Sequence, residues 1–291
     1  MQNKKSGKKA DQYYQTESVG EGISYYKMVG EVYHSRRLKT KIHNLYLRAL
    51  NKLKNQNKRQ AKVLDIGCDI GTDLFMLPKV SNISVEKTGT DISKGAIAQA
   101  RFFAHKRKEN NTKFRVVDAN QGQPFDNNSF DVVISSELIE HVEDPVAWLN
   151  EVYRILKPGG HAIVSTPNEK SFQKFVLHKL LPKKAESNMQ NSRNTGFARH
   201  GGKGENFDFV DWDKEAHISV YGAVQWKRIV KQTNFEIEKF TGSSFYGGLP
   251  LFEKSPFVIG SMILLDSLID KLPLHPHFQT CIIMDLEKST K

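Results

Sequence analysis

Three acids stand at or just beyond the ends of three successive expected strands: Asp65 in 62–66, Asp91 closing 84–91, and Asp118 after 113–117. The first is followed by Ile66-Gly67-Cys68-Asp69-Ile70-Gly71-Thr72, with two glycines four apart and then an apolar periodic segment. That spacing predicts a strand, a tight turn and a helix, with a ligand cradled at the turn. The glycines let the backbone approach where a Cβ would collide. Asp65 can accept hydrogen bonds from an amino or hydroxyl group. Asp91 suits a pair of ribose hydroxyls, for which a carboxylate is a natural acceptor. Asp118 can take the exocyclic amine of a purine, with the Ala119 N–H offered to a ring nitrogen. A lone acid of this kind could equally cap a helix or solubilise a loop. Three in consecutive units, beside a glycine turn, favour one shared elongated ligand.

A dinucleotide turn would need glycines at 67, 69 and 72, where this chain has Gly67, Asp69 and Thr72. Asp69 would repel a pyrophosphate. The ligand is therefore expected to be free of phosphate and locally cationic, and a sulfonium nucleoside meets both conditions.

The elements that must position these acids alternate. Strands are expected at 62–66, 84–91, 113–117, 130–135 and 161–165. Helices are expected over 72–77, stopped by Pro78, from the N-cap Ser93 to about 108, and from Pro145 to 156. Lys157-Pro158-Gly159-Gly160 reads as the break after the last of these. Such a rhythm means a parallel sheet with helices on both faces and ligands at the carboxyl ends of the strands. Residues 168–216 interrupt it with a helix over 172–181 and a polar Gly- and Asn-rich run, the pattern of a lid or binding loop. A helix over 220–232, a strand over 235–240, an apolar helix over 257–272 and a strand over 278–285 complete the chain. Ahead of the first strand, residues 1–18 are polar and read as a disordered basic tail. A 19–60 extension is helical, with an apolar stripe from Val29 to Leu53.

Four segments in this order carry a family resemblance: Val63-Leu64-Asp65-Ile66-Gly67-Cys68-x-x-Gly71; Gly89-Thr90-Asp91-Ile92-Ser93; Pro124-Phe125-Asp126-Asn127-Asn128-Ser129-Phe130-Asp131-Val132-Val133; and Leu156-Lys157-Pro158-Gly159-Gly160. Together they resemble the class I S-adenosylmethionine-dependent methyltransferases, in the small-molecule branch that includes the quinone-biosynthesis O-methyltransferases. The resemblance covers about residues 60–168. It implies a Rossmann-like, doubly wound α/β domain over 61–291, with seven strands, mostly parallel and the last antiparallel. It implies that Asp65, Gly67, Cys68, Asp69 and Gly71 hold the methionine part of S-adenosylmethionine. Asp91 with Ile92 would hold the ribose, and Asp118 with Ala119 the adenine. Ser136 would lie near the sulfonium. The family usually has glycine where this chain has Asp69, so that carboxylate must turn away or meet the ligand's ammonium.

The segment Ser135-Ser136-Glu137-Leu138-Ile139-Glu140-His141 leaves the fourth strand beside the expected methyl group. On a helical turn Glu137 and His141 would share a face, and a His with a carboxylate neighbour can serve as a general base. The similar run in quinone O-methyltransferases is implicated in divalent-metal binding, and Glu137, Glu140 and His141 match it. A loop-ordering role is the third reading, and no metal is assigned. His217-Ile218-Ser219-Val220-Tyr221 resembles a His-x-x-x-Tyr run that faces the acceptor pocket in the same branch. Alternatively His217 caps the following helix and Tyr221 packs.

The formal charge of +11 is local. Residues 1–62 carry 15 Lys/Arg and 4 Asp/Glu, while the remainder carries 28 of each. A basic segment on a neutral body is a solvated face, a contact with an anionic membrane or, least in keeping with the neutral body, a nucleic-acid site. Only two cysteines, Cys68 and Cys281, fit a reducing cytoplasm, with a peripheral membrane position as an extension. No leader peptide is read at the start. The apolar run from Phe257 either packs in the core or lines a lipid-facing entrance. The expected reaction is direct SN2 methyl transfer to a small organic or lipid-linked acceptor at oxygen. The alternatives are an RNA- or protein-directed methyltransferase and a non-catalytic cofactor-binding subunit. Against the first stands Ser-Ser-Glu-Leu, rather than an Asn-Pro-Pro-Tyr-type motif, after the fourth strand.

Overall fold

The structure, a computed structural model, describes residues 33–172, 218–245, 256–273 and 275–290. The helix expected over 172–181 and residue His217 lie outside them, as does the tail.

The strands are β1 (Gln60–Ile66), β2 (Ser84–Asp91), β3 (Thr112–Val116), β4 (Phe130–Ser136), β5 (Leu156–Pro167), β6 (Phe235–Gly242) and β7 (Cys281–Lys288). They form one sheet in the order β3-β2-β1-β4-β5-β7-β6. The pairs among β1 to β5 are parallel, and β7 runs antiparallel between β5 and β6. The strand order reverses between β1 and β4, so the carboxyl ends of those two strands flank the crevice where ligands of open α/β sheets bind. This is the α/β architecture that the acids and glycines predict.

The helices are α1 (Tyr33–Asn55), α2 (Thr72–Met76), α3 (Lys94–Arg107), α4 (Pro145–Ile155), α5 (Ala223–Val230) and α6 (Pro256–Ile269). Alternating strand residues feed two cores. Val63, Val132, Ile134, Ile163 and Ile283 pack under α1 and α3 on one face. Leu64, Val133, Val164, Met284 and Leu286 pack under α4 and α5 on the other. Local signals set the helix ends. Ser93 Oγ accepts from Ala96 N at 3.1 Å, and Asp144 Oδ1 accepts from Val146 N and Ala147 N at 2.9 and 3.0 Å, with Pro145 in the first turn.

Two expectations are corrected. Lys157–Gly160 does not separate helix from strand, because β5 already begins at Leu156, paired with Phe130 across a register shift. A Cβ on Gly160 would lie 2.8 Å from Lys157 O and 3.0 Å from Asp131 O, so the glycine permits an irregular strand rather than ending an element. The apolar 257–272 segment is helical over Pro256–Ile269 but is not core. Phe257 is 83% exposed and Leu264 63%, whereas Asp266 is 2% exposed.

The basic stretch also has a structural account. Helix α1 contains seven Lys/Arg and no acid. Its stripe of Leu38, Ile42, Leu45, Tyr46, Ala49, Leu50 and Leu53 is buried on the sheet, each large apolar side chain contributing about 1.5–3 kcal/mol. Five of its cations pair with acids of the body. Arg37 and Lys41 meet Asp270 at 2.5 and 2.8 Å, Arg48 meets Glu238 at 2.8 Å, Lys52 meets Glu287 at 2.9 Å, and Lys39 meets Asp73. Five of the seven cations of this helix thus act as an internal strap rather than as a solvated face or a site for an anionic partner.

Candidate active site

The cofactor-side candidates converge at the carboxyl ends of β1, β2 and β4. Ile66 ends β1, and the chain then turns through two left-handed glycines, Gly67 at φ +77° and Gly71 at φ +84°. Gly67 N and Cys68 N donate to Thr90 O at 2.8 and 2.9 Å, which ties the turn to β2. A Cβ on Gly71 would sit 2.8 Å from Phe114 and 2.9 Å from Phe75, and one on Gly67 would sit 3.0 Å from Leu138. The loop therefore needs glycine for both its dihedrals and its packing.

Asp69 adopts φ +49°, the left-handed conformation that a family glycine would supply. Asp tolerates this region better than most side chains. Its N–H donates to Asp91 Oδ2 at 3.0 Å, while Asp91 Oδ1 accepts from Ser93 N at 2.9 Å. Ile92 adjoins Asp91, half-buried.

Asp65 is 1% exposed, and its Oδ2 has no hydrogen-bond partner. Burial, reinforced by the nearby Asp73 carboxylate, raises its pKa well above the usual carboxylate range, against the pull of Lys39. A buried acceptor of this kind, beside a glycine cradle, fits a cationic or N–H-bearing ligand group.

Asp118 lies two residues beyond β3, close to β2 through the Val117 N to Asp91 O bond of 2.9 Å. Its Oδ1 accepts from Asn120 N at 3.0 Å and its Oδ2 from Gln121 Nε2 at 3.1 Å, while Ala119 opens a 3-10 turn. Here the carboxylate caps that turn. Ser136 ends β4, its Oγ 3.2 Å from Ser165 Oγ.

The expected pair of Glu137 and His141 is arranged differently from a helical turn. Glu137 has φ +56°, and the 3-10 turn begins only at Ile139, so Glu137 and His141 do not share a helical face. Among the described residues, the other non-glycine residues with positive φ are three asparagines, Asp69 and the helix-capping Lys108, all of types or positions that suit it. Glu137 is held there by its contacts. Its N donates to Ser165 O at 3.0 Å, and its Oε1 accepts from Ser165 Oγ at 3.0 Å. Its Oε2 lies 3.8 Å from Cys281 Sγ, which in turn lies 3.6 Å from His34 Nε2. Burial raises the Glu137 pKa. Glu140 Oε1 lies 4.0 Å from His141 Nε2. Glu140 is 1% exposed, and burial together with Glu137 pushes its pKa to about 8. Its carbonyl accepts from Ile218 N and Ser219 N, both at 2.9 Å, so this turn anchors the segment that re-enters before α5. Tyr221 packs edge-on against Trp226, the packing alternative for that residue. Among the described residues, no group of three His, Cys, Asp or Glu is placed to hold a metal ion.

Sequence reasoning did not single out Lys39, Asp73, His34 or Cys281, which surround Asp65 and Glu137. Their helical or strand-end positions carry no local signature, and only the sheet order brings them here.

The methyltransferase-domain family model matches residues 57–234, more than half of the chain. The chain belongs to that family, and is a class I S-adenosylmethionine-dependent methyltransferase. The ubiquinone biosynthesis O-methyltransferase of Alkalilimnicola ehrlichii is 34% identical over 129 residues, 42% of this chain and 51% of that protein. The phosphoethanolamine N-methyltransferase 2 of Caenorhabditis elegans is 33% identical over 103 residues, 35% of this chain and 23% of that protein. The chain thus spans about half the length of the first relative and less of the second. A Galdieria sulphuraria structure described as a sarcosine dimethylglycine methyltransferase shares the fold, with a TM-score of 0.56 and 15% identity over 88% of this chain and 87% of its own.

Proposed function

We propose that this protein transfers the methyl group of S-adenosylmethionine to a small organic or lipid-linked acceptor, at oxygen. The observation that carries the reading is the bond from Asp69 N to Asp91 Oδ2 beside the unpartnered Asp65 Oδ2. It joins the methionine and ribose ends of one preformed cradle. When bound, S-adenosylmethionine supplies a methyl group activated by a sulfonium. Asp65 and the Gly67–Gly71 turn hold the aminoacyl end, Asp91 the ribose hydroxyls, and Asp118 with Ala119 the adenine edge. Ser136 lies on the sulfonium side. Holding an acceptor in line lowers the barrier by several kcal/mol through positioning alone.

The acceptor's proton is assigned to His141, whose side chain is 36% exposed and stands beside Glu140. Glu137 is assigned to ordering the loop through Ser165 rather than to proton transfer. His217, outside the described residues, is assigned to the acceptor side on the His-x-x-x-Tyr resemblance alone. Oxygen is favoured by the O-methyltransferase relative, and nitrogen is the competing atom. The two free, buried cysteines suit a reducing cytoplasm.

Incubation with methyl-labelled S-adenosylmethionine and fractionated metabolite, lipid and RNA extracts tests the reading. Label in a small or lipid-linked, alkali-stable ether is expected. Label in RNA or protein, or cofactor binding without transfer to any fraction, overturns it.

A further inference from the structure

Helix α6 is turned inside out. Among its described side chains the one that is buried is an acid, and its hydrocarbon faces outward. Asp266 Oδ2 accepts from Tyr33 Oη at 2.6 Å, and its Oδ1 accepts from Phe245 N at 2.6 Å, with Arg37 Nε 3.4 Å away. One turn on, Asp270 is held by Arg37 and Lys41. Both acids of this region therefore point at α1 and are neutralised there. Phe257, Ile263, Leu264, Leu265 and Leu268 are exposed by 46–83%. The hydroxyl of Ser261, on the same side, is satisfied by Phe257 O at 3.0 Å.

We propose that this face docks on a membrane surface containing anionic lipid, with α6 lying in the interfacial plane. Two observations choose that occupant. The first is area. A helix of 14 residues is about 21 Å long, and one face about 10 Å wide offers on the order of 200 Å². A stable protein interface needs roughly 800 Å² from each partner, so this face is too small to hold a second copy by itself. A bilayer sets no such minimum. The second is charge. Both acids are paired inward, and two exposed cations stand close by in the chain: Lys271, just after α6, and Arg36, next to the Arg37 that holds both acids. Cations near an apolar face suit an anionic headgroup layer. No described helix is long and apolar enough to cross a membrane, so the contact is peripheral. The proposal goes beyond methyl transfer and does not depend on it.

The test is co-sedimentation of the full chain with vesicles of phosphatidylglycerol and phosphatidylcholine, and with phosphatidylcholine alone. Binding is expected to be several-fold stronger on the anionic vesicles. Leu264→Glu with Leu268→Glu should lower it at least tenfold, and Arg36→Glu with Lys271→Glu should remove only the anionic preference. A separate Leu264→Trp variant should shift its added indole emission to the blue on vesicles, a reading that holds even if the double glutamate variant fails to fold. Wild-type protein left in the supernatant with both vesicle types overturns the proposal, as does emission from the Leu264→Trp variant that stays unshifted. A dimer in analytical ultracentrifugation that the glutamates dissolve would assign the face to a second copy instead.

Discussion

The backbone N–H of Asp69 donates to Asp91 Oδ2 at 3.0 Å, so the turn after β1 is fastened to the end of β2 before any ligand arrives. The same carboxylate accepts from Ser93 N at 2.9 Å. Replacing Asp91 with Ala should weaken S-adenosylmethionine binding at least tenfold, about 1.4 kcal/mol, and loosen the turn. Asp91→Asn should fall between. Asp69→Gly should bind as well as wild type, since glycine enters the left-handed region freely. Calorimetric titration decides, and unchanged affinity in Asp91→Ala removes the ribose assignment.

Gly71 is the residue around which the turn closes. Its φ of +84° and the 2.8 Å approach to Phe114 leave no room for a methyl group. Gly71→Ala should cost about 2–3 kcal/mol and lose cofactor binding. Denaturant unfolding with a parallel binding titration would check both. A fully stable variant would show that the loop can rebuild itself.

Glu140 makes stability depend on pH. Its folded pKa of about 8 lies above the ordinary 4.5, so between those values the folded protein holds a proton that the unfolded chain releases. Stability from this group is therefore present at low pH and lost as pH rises from about 4.5 to 8. Glu140→Gln mimics the protonated acid. It should raise the melting temperature at pH 8.5 and leave it nearly unchanged at pH 4.5. Equal shifts at both pH values would mean that the carboxyl is ionised in the fold.

Arg37 and Asp266 test the α1–α6 contact. Arg37 also donates to Ser243 O at 2.7 Å, so Arg37→Met strands a carbonyl and leaves Asp266 with Tyr33 and Phe245 alone. A loss of about 3 kcal/mol is expected, as for one broken partner of a buried pair. Adding Asp266→Asn should restore part of it. A double-mutant cycle in urea measures the coupling, and strict additivity would mean that the pair contributes nothing.

The cradle was legible because its determinants are local. A glycine turn, an N-cap serine and strand-end acids each act within a few residues, and their order dictates the sheet. Glu137 was misplaced because a left-handed glutamate has no sequence signature; its position comes from Ser165, a residue of β5. The basic stretch was legible as charge but not as structure, because its partners at Glu238, Asp270 and Glu287 lie on elements it reaches only in the folded state. The apolar 257–272 run leaves core packing and a lipid-facing entrance both open, because hydrophobicity alone does not say which side faces in. The two aspartates, pinned by α1, decide that.

The strap also orders events in time. Arg48 and Lys52 of helix α1 pair with Glu238 and Glu287, 190 and 235 positions later in the chain. At about 5–20 residues per second of synthesis, those partners emerge roughly 10–50 s after the helix does. Strand β7, which must slide between β5 and β6, comes last of all. Through that interval the nascent chain carries an acid-free, one-sided apolar helix with its sheet unfinished. The ribosome-bound intermediate is thus expected to be a substrate for holding chaperones, and a stall placed just before residue 281 should leave α1 open to protease while β1 to β4 are already protected.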